Sequence, residues 1–275
     1  MSNPAFSCLL ALVAVAACGC KSFLQPTAQA RHSAYYRHQK VFIGDPDLAL
    51  HQTYVVFSAD FRNLSPRYDS ETRRIVFDAT NKMNGGCGLA VALSTDGYLL
   101  TASHVLGTTN FTSYVCGSFE GKIDIRPARV IFRHGPDPRA DLALLKVSGK
   151  LTEPVEFGDL PKVGETVFAV VNYRLPTKAR EGFDFDIDFT AGKVREVVDD
   201  PSGSSVREVV TNVPLWEGDS GGPLLSRNGR LVGIARQLDF QWHGVHWNYR
   251  RISSFPDKQF IQHAVAEDRA AGAGR

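Results

Sequence analysis

An all-β protein of closed antiparallel sheets is the fold class this sequence predicts, and three observations carry the prediction. From Arg74 onward, short apolar runs alternate with turn signals at regular intervals, the pattern of strands wound into barrels. The composition supplies the turns, with 24 Gly and 14 Pro in 275 residues. That length holds one or two domains, and two small barrels sharing one cleft would use most of it. Apolar content of 43% and charged content of 22% fit a globular chain with a sizeable core. The formal charge of +2, with no basic stripe interleaved with aromatics, argues against nucleic acid as a partner and leaves protein as the expected one.

The chain begins with an apolar segment, Pro4 through Ala17, shorter than the roughly 20 residues that span a bilayer, and it reads as the core of an export signal over residues 1–17. Val15-Ala16-Ala17-Cys18 resembles a bacterial lipobox, which implies lipid on Cys18 and a membrane-anchored protein in the bacterial cell envelope, facing the periplasm or exterior. Residues 1–7 carry no Lys or Arg, a departure from the usual positive start of such signals. An ordinary cleaved signal with an incidental cysteine is the other reading. Residues 18–70 lack sustained periodicity and read as a tether, although Val41-Phe42-Ile43 and Tyr54-Val55-Val56-Phe57 are apolar enough to pack on a domain.

The globular domain is expected over 71–262, with a first barrel over about 71–148 and a second over about 163–252. Strands are predicted at 75–77, 89–93, 98–100, 111–116, 128–132 and 142–147, with Thr95-Asp96-Gly97 as a hairpin turn. Residues 149–162 read as the crossover, because Pro154 and Pro161 discourage a strand. Second-barrel strands are predicted at 166–171, 183–189, 192–198, 206–211, 223–225, 230–235 and 245–250. Within the run from Phe183 to Phe189 aromatic or aliphatic residues alternate with Asp, which predicts one strand with an apolar and an acidic face. Its acids are read as solvated, or as a site for a cation or basic substrate. A short helix is expected over 257–265, within which a C-terminal tail, 263–275, begins; residues 270–275 are expected to fray.

The chemistry concentrates at Gly218-Asp219-Ser220-Gly221-Gly222-Pro223. A serine hydroxyl is a weak nucleophile that needs a base and a group to orient the base. Close glycines let a substrate carbonyl approach backbone N–H donors. This motif resembles the nucleophile motif of the chymotrypsin-like serine peptidases, Thr101-Ala102-Ser103-His104-Val105 resembles that family's histidine motif, and Asp141-Leu142-Ala143-Leu144-Leu145 its aspartate motif. The order His, Asp, Ser is that of the same group. The resemblance implies two antiparallel six-stranded barrels with the site in the cleft between them. It implies a Ser220, His104, Asp141 triad, an oxyanion hole from the Gly218 and Ser220 N–H groups, and hydrolysis of peptide bonds through an acyl-enzyme without a cofactor.

Pro214 stands where trypsin-like members carry a pocket-floor aspartate. Leu215 and Trp216 suggest an apolar wall, and Arg236 either greets an acidic side chain or blocks the pocket. The family's zymogens expose an Ile-Val-Gly-Gly-like amino terminus that pairs with the aspartate before the serine. No such sequence is present, so Asp219 has no partner legible in sequence and activity without cleavage is expected. A non-catalytic binding protein on the same scaffold is the competing reading. Cys87 and Cys116 are either a disulfide bracing the histidine loop or two buried free thiols. No metal site is expected: Cys-x-x-Cys is absent, and His243 and His246 would face opposite ways on one strand.

Overall fold

Apolar runs become strands where a neighbour satisfies their backbone groups, and closing the sheet leaves no edge unpaired. The computed structural model describes residues 28–59, 66–71, 74–76, 85–107, 111–133, 141–151, 153–172, 182–184, 187–199, 207–243 and 246–273. The proposed export signal and Cys18 lie outside these residues. The first closed barrel uses β1 (Thr53–Ala59), β4 (Gly85–Ala92), β5 (Tyr98–Thr101), β6 (Thr112–Phe119), β7 (Lys122–Arg133) and β8 (Ala143–Val147), in the order β1-β4-β5-β8-β7-β6. The second uses β9 (Thr166–Asn172), β11 (Ile187–Val198), β12 (Arg207–Thr211), β13 (Pro223–Leu225), β14 (Leu231–His243) and β15 (His246–Phe255), in the order β11-β12-β15-β14-β13-β9. A small third sheet of β10 (Gly182–Asp184), β3 (Arg74–Val76) and β2 (Arg67–Asp69) belongs to neither barrel, and its Ile75 packs with Val55, Phe57 and Leu89 of the first. The expected pair of six-stranded antiparallel barrels is therefore the observed architecture.

The tether reading of residues 18–70 is corrected for the part that is described. Tyr54-Val55-Val56-Phe57 is the heart of β1, pairing with β4 through Thr53↔Val91 and with β6 through Val55↔Cys116, and all four side chains are buried. Burying each such side chain contributes about 1.5–3 kcal/mol, so the run is worth far more inside the barrel than along a solvated tether. Before it, α1 (Ala28–His38) lies against the second barrel, with Tyr35 packed on Phe189 at 5.4 Å between ring centroids. Next comes α2 (Pro46–His51), which starts because Asp45 accepts from the N–H groups of Asp47 and Leu48 at 2.9 and 3.2 Å, with Pro46 pre-set for the first turn. Of Val41-Phe42-Ile43 only Phe42 turns inward, 4.6 Å from the Phe168 ring.

Three further expectations change. The single strand over 183–189 is two strands: β10 pairs with β3, and β11 then runs unbroken through Val198 in the second barrel. His243 and His246 stand opposite each other on β14 and β15 and share no strand. The terminal helix, α3 (Lys258–Ala273), outruns the expected 257–265 because its last turns are tied down: Asp268 accepts from Tyr98 Oη at 2.8 Å and from both arms of Arg129 at 2.8 and 2.9 Å, and Arg269 donates to Asp96.

The disulfide reading of Cys87 and Cys116 is also corrected, since both are free thiols. Cys87 pairs in register with Phe57 and Cys116 with Val55, so β1 runs between the two cysteines. Strands one apart are separated by about 4.8 Å and strands two apart by about twice that. A disulfide needs Cα atoms within roughly 7 Å.

Candidate active site

His104 is placed by a 3-10 turn, Ser103–Leu106, that follows directly on β5. Ser103, Val105 and Leu106 are buried, so the turn is anchored on three sides while the His104 ring stays 48% exposed. Arg133 at the end of β7 donates to the carbonyls of Ser103 and Gly107 at 3.3 and 3.0 Å and closes the loop from outside. Asp141, just ahead of β8, holds the turn twice: Oδ1 accepts from the His104 backbone N–H at 2.8 Å, and Oδ2 lies 2.5 Å from His104 Nδ1. A carboxylate only accepts, so the proton of this bond sits on Nδ1. Burial pushes the Asp141 carboxyl up, but the bonds from His104 and the charge of Arg236 outweigh it and leave it below the usual carboxylate range. The sequence-predicted pair is thus assembled.

Ser220 lies on the loop that leads into β13. The loop is knotted by its own aspartate: Asp219 N–H donates to Trp216 O at 3.0 Å, Asp219 Oδ2 accepts from Trp216 N–H at 2.6 Å, and Gly222 N–H donates to Asp219 O at 2.9 Å. Gly218 and Gly221 adopt φ of 93° and 84°, a region that glycine enters without strain. Among the described residues, no hydrogen bond within the protein uses the N–H of Gly218 or of Ser220, so the donors required of an oxyanion hole are unspent. The Ser220 hydroxyl rests on the Arg236 carbonyl at 3.5 Å and not on His104. In unliganded sites the nucleophile–base bond is often long and tightens when substrate arrives.

The two barrels meet at this point. Leu89 N–H of β4 donates to Ser220 O at 2.7 Å, and Thr101 Oγ1 donates to Leu89 O at 2.6 Å. Gly88 fits between Ser220 and the histidine loop: a Cβ there would collide with Ser220 O and meet Val105 Cγ2 at 2.8 Å. Gly88→Ala therefore forces apart the two loops that carry Ser220 and His104. We expect a loss of about 1–3 kcal/mol from overpacking, seen as a drop of several degrees in Tm, together with slower reaction of Ser220 with an active-site probe. An unchanged melt and probe rate would remove Gly88 from the account.

The residues expected to line the pocket are buried or half-buried. Leu215 and Trp216 are buried, Leu215 within the second-barrel core, and Pro214 is half-buried. Arg236 is 6% exposed, with its guanidinium on Glu208 Oε1 at 2.7 Å, so its charge is engaged by the protein. Sequence reading missed Glu208. It also missed the partner of Asp219, which is Arg31 of α1, with Nη1 3.1 Å from Oδ2. The available signal was faint: Ala34 and Tyr35 follow Arg31 at helical spacing and dock the helix that brings it in.

A family model described as Trypsin-like peptidase domain matches residues 88–234. Among curated proteins, the chain is 34% identical over 157 residues to a protein named Probable periplasmic serine endoprotease DegP-like from Pseudomonas putida (strain W619). It is 36% identical over 157 residues to one of the same name from Ectopseudomonas mendocina (strain ymp). Each match covers 55% of this chain and 29% of the relative, so the chain spans less than a third of the length of these relatives. Among solved structures, Deg5 superposes with a TM-score of 0.54 at 19% identity, covering 83% of this chain and 92% of that one. An HtrA-type protease with tripeptide superposes with a TM-score of 0.52 at 21% identity, covering 78% and 60%. At these identities the structural matches speak for the fold alone.

Proposed function

Because the chain belongs to the trypsin-like peptidase domain family, we propose that it is an exported serine endopeptidase that works through Ser220, His104 and Asp141. The observation that carries this reading is the Asp141–His104 pair, 2.5 Å across, presented by the first barrel to a Ser220 loop of the second whose Gly218 and Ser220 N–H groups have no hydrogen-bond acceptor among the described residues. Ser220 Oγ attacks the scissile carbonyl carbon while His104 Nε2 takes the hydroxyl proton. The oxyanion forms against the Gly218 and Ser220 N–H groups. Collapse breaks the C–N bond, His104 returns the proton to the leaving amine, and an acyl-enzyme ester remains. Water, deprotonated by the same ring, releases the acid and restores the serine. Each oxyanion donor is worth about 3 kcal/mol of barrier.

Pro214 in place of a floor aspartate supports a small or apolar side chain before the scissile bond, in a pocket near Leu215 and Trp216. Arg236, held by Glu208, is read as part of that pocket's wall and not as a receptor for acidic groups. Export is supported by the name of the relatives, periplasmic endoproteases. Residues 1–17 are proposed as the signal and Cys18 as the lipid-bearing residue. The mass of the mature N-terminus tests this, and an unmodified Cys18 would end the lipoprotein reading. The competing reading, a binding protein, draws on the Ser220 hydroxyl resting on Arg236. Incubating the full chain with unfolded casein separates the two: progressive cleavage supports the peptidase, and folded protein that leaves casein intact supports the binder.

A further inference from the structure

Asp219 is 1% exposed and stands in sequence between Gly218 and Ser220, the two residues proposed to supply the oxyanion donors. A buried carboxylate is costly unless it is paired and hydrogen-bonded. Its own loop and the end of β9 supply two donors, Trp216 N–H at 2.6 Å and Asn172 N–H at 2.9 Å. The counter-charge comes from outside the barrels. Arg31, 2% exposed and 188 positions earlier in the chain, reaches Asp219 Oδ1 at 3.2 Å and Oδ2 at 3.1 Å with one Nη1, which also donates to Asn172 O at 3.1 Å. Its own carbonyl accepts from Thr190 Oγ1 of β11 at 3.1 Å, and the next turn is held independently by Ala34 and Tyr35.

We propose that Arg31 is a positioning residue for the reaction at Ser220: α1 inserts an internal guanidinium beneath the nucleophile loop and, through the Asp219 carboxylate, holds the Gly218 and Ser220 N–H groups in register with the oxyanion. This rests on the peptidase reading of Ser220 and adds to it the residue that supplies the counter-charge of Asp219. The segment ahead of the barrels then becomes a requirement for turnover. Burial pushes the Asp219 carboxyl up to about 6 against the pull of Arg31 and of the Trp216 and Asn172 N–H groups. Taking Arg31 away removes the largest opposing influence, so the carboxyl protonates more readily and loses one acceptor for the loop.

The experiment uses the full chain, a small chromogenic ester and a fluorophosphonate probe, with far-UV circular dichroism and thermal melts as the fold check. Arg31→Ala is expected to lower kcat by about 10²–10³-fold with KM little changed, the size of losing an oxyanion donor. Methylguanidinium added to that variant restores at least a tenfold part of the loss by entering the vacated space, and Arg31→Lys keeps more than a tenth of the wild-type kcat. A merely structural arginine gives a different pattern: activity falls with the melt, and neither methylguanidinium nor lysine relieves it. That result, or a folded Arg31→Ala with wild-type kcat and probe rate, overturns the proposal. If Arg31→Ala does not fold, Arg31→Gln decides in its place: loss in Gln but not in Lys supports the proposal, and equal kcat in both overturns it. A folded wild type that reacts with neither ester nor probe sinks the peptidase reading and this inference together, whereas a reactive wild type beside an equally reactive Arg31→Ala sinks this inference alone.

Discussion

Ser220→Ala is expected to lower kcat on a peptide or ester substrate by about 10⁶-fold while leaving the melt within a degree or two of the wild type. The substitution removes a single oxygen at a half-buried position whose hydroxyl makes one long bond, 3.5 Å, to the Arg236 carbonyl, so little folding energy goes with it. What holds the loop is untouched, because the Asp219 carboxylate, the Leu89 bond to Ser220 O and the two left-handed glycines are backbone or belong to other side chains. The proposed mechanism loses its nucleophile outright, and the Gly218 and Ser220 N–H groups are left to stabilise only an attack by water. A variant retaining more than a hundredth of wild-type kcat would place the nucleophile elsewhere.

Asp141→Asn is the second large effect, at about 10⁴-fold in kcat, with KM nearly unchanged. The two oxygens of Asp141 face two different donors, the His104 backbone N–H and the Nδ1–H. An asparagine can satisfy only one of them. With its oxygen on the backbone N–H, the amide NH₂ faces Nδ1 and forces the ring proton onto Nε2, the atom that must accept from Ser220. With its oxygen on Nδ1, an NH₂ meets the backbone N–H and the turn over Ser103–Leu106 shifts. Either outcome disables the base without emptying the site, so the variant should still bind substrate. Steady-state kinetics separate kcat from KM, and a loss carried mainly by KM would contradict the role given to Asp141.

Strands bounded by turns and rich in apolar residues were readable because their pattern is local. Tyr98-Leu99-Leu100 and Pro223-Leu224-Leu225 lie where the sequence puts them, Asp141 meets His104, and the Ser220 loop and the turn that carries His104 close around Gly88. What escaped depends on who the neighbour is. A four-residue apolar run such as Tyr54-Val55-Val56-Phe57 has no period of its own, and only pairing with β4 and β6, far along the chain, makes it a barrel strand. Cys87 and Cys116 look like partners in chain order because β1, lying between them in space, comes before both. The alternating run from Phe183 to Phe189 keeps its period while the backbone passes from one sheet to another, since alternation records which way side chains point and not which sheet they join. Nothing local marks Arg31 out from Arg37 and Lys40 in the same aperiodic stretch, because its burial is decided by an aspartate 188 positions away.

The proposed mechanism requires Ser220 to be a nucleophile activated by its surroundings. A fluorophosphonate reacts with such a hydroxyl by forming a P–O bond and expelling fluoride, and it spares serines without a base and an oxyanion hole. Treating the full chain with the probe and mapping the adduct by peptide mass spectrometry tests this directly. One stoichiometric adduct is expected on the peptide containing Ser220, none in Ser220→Ala, and a much slower one in Asp141→Asn. An adduct on another residue, or a folded wild type that takes none, would contradict it.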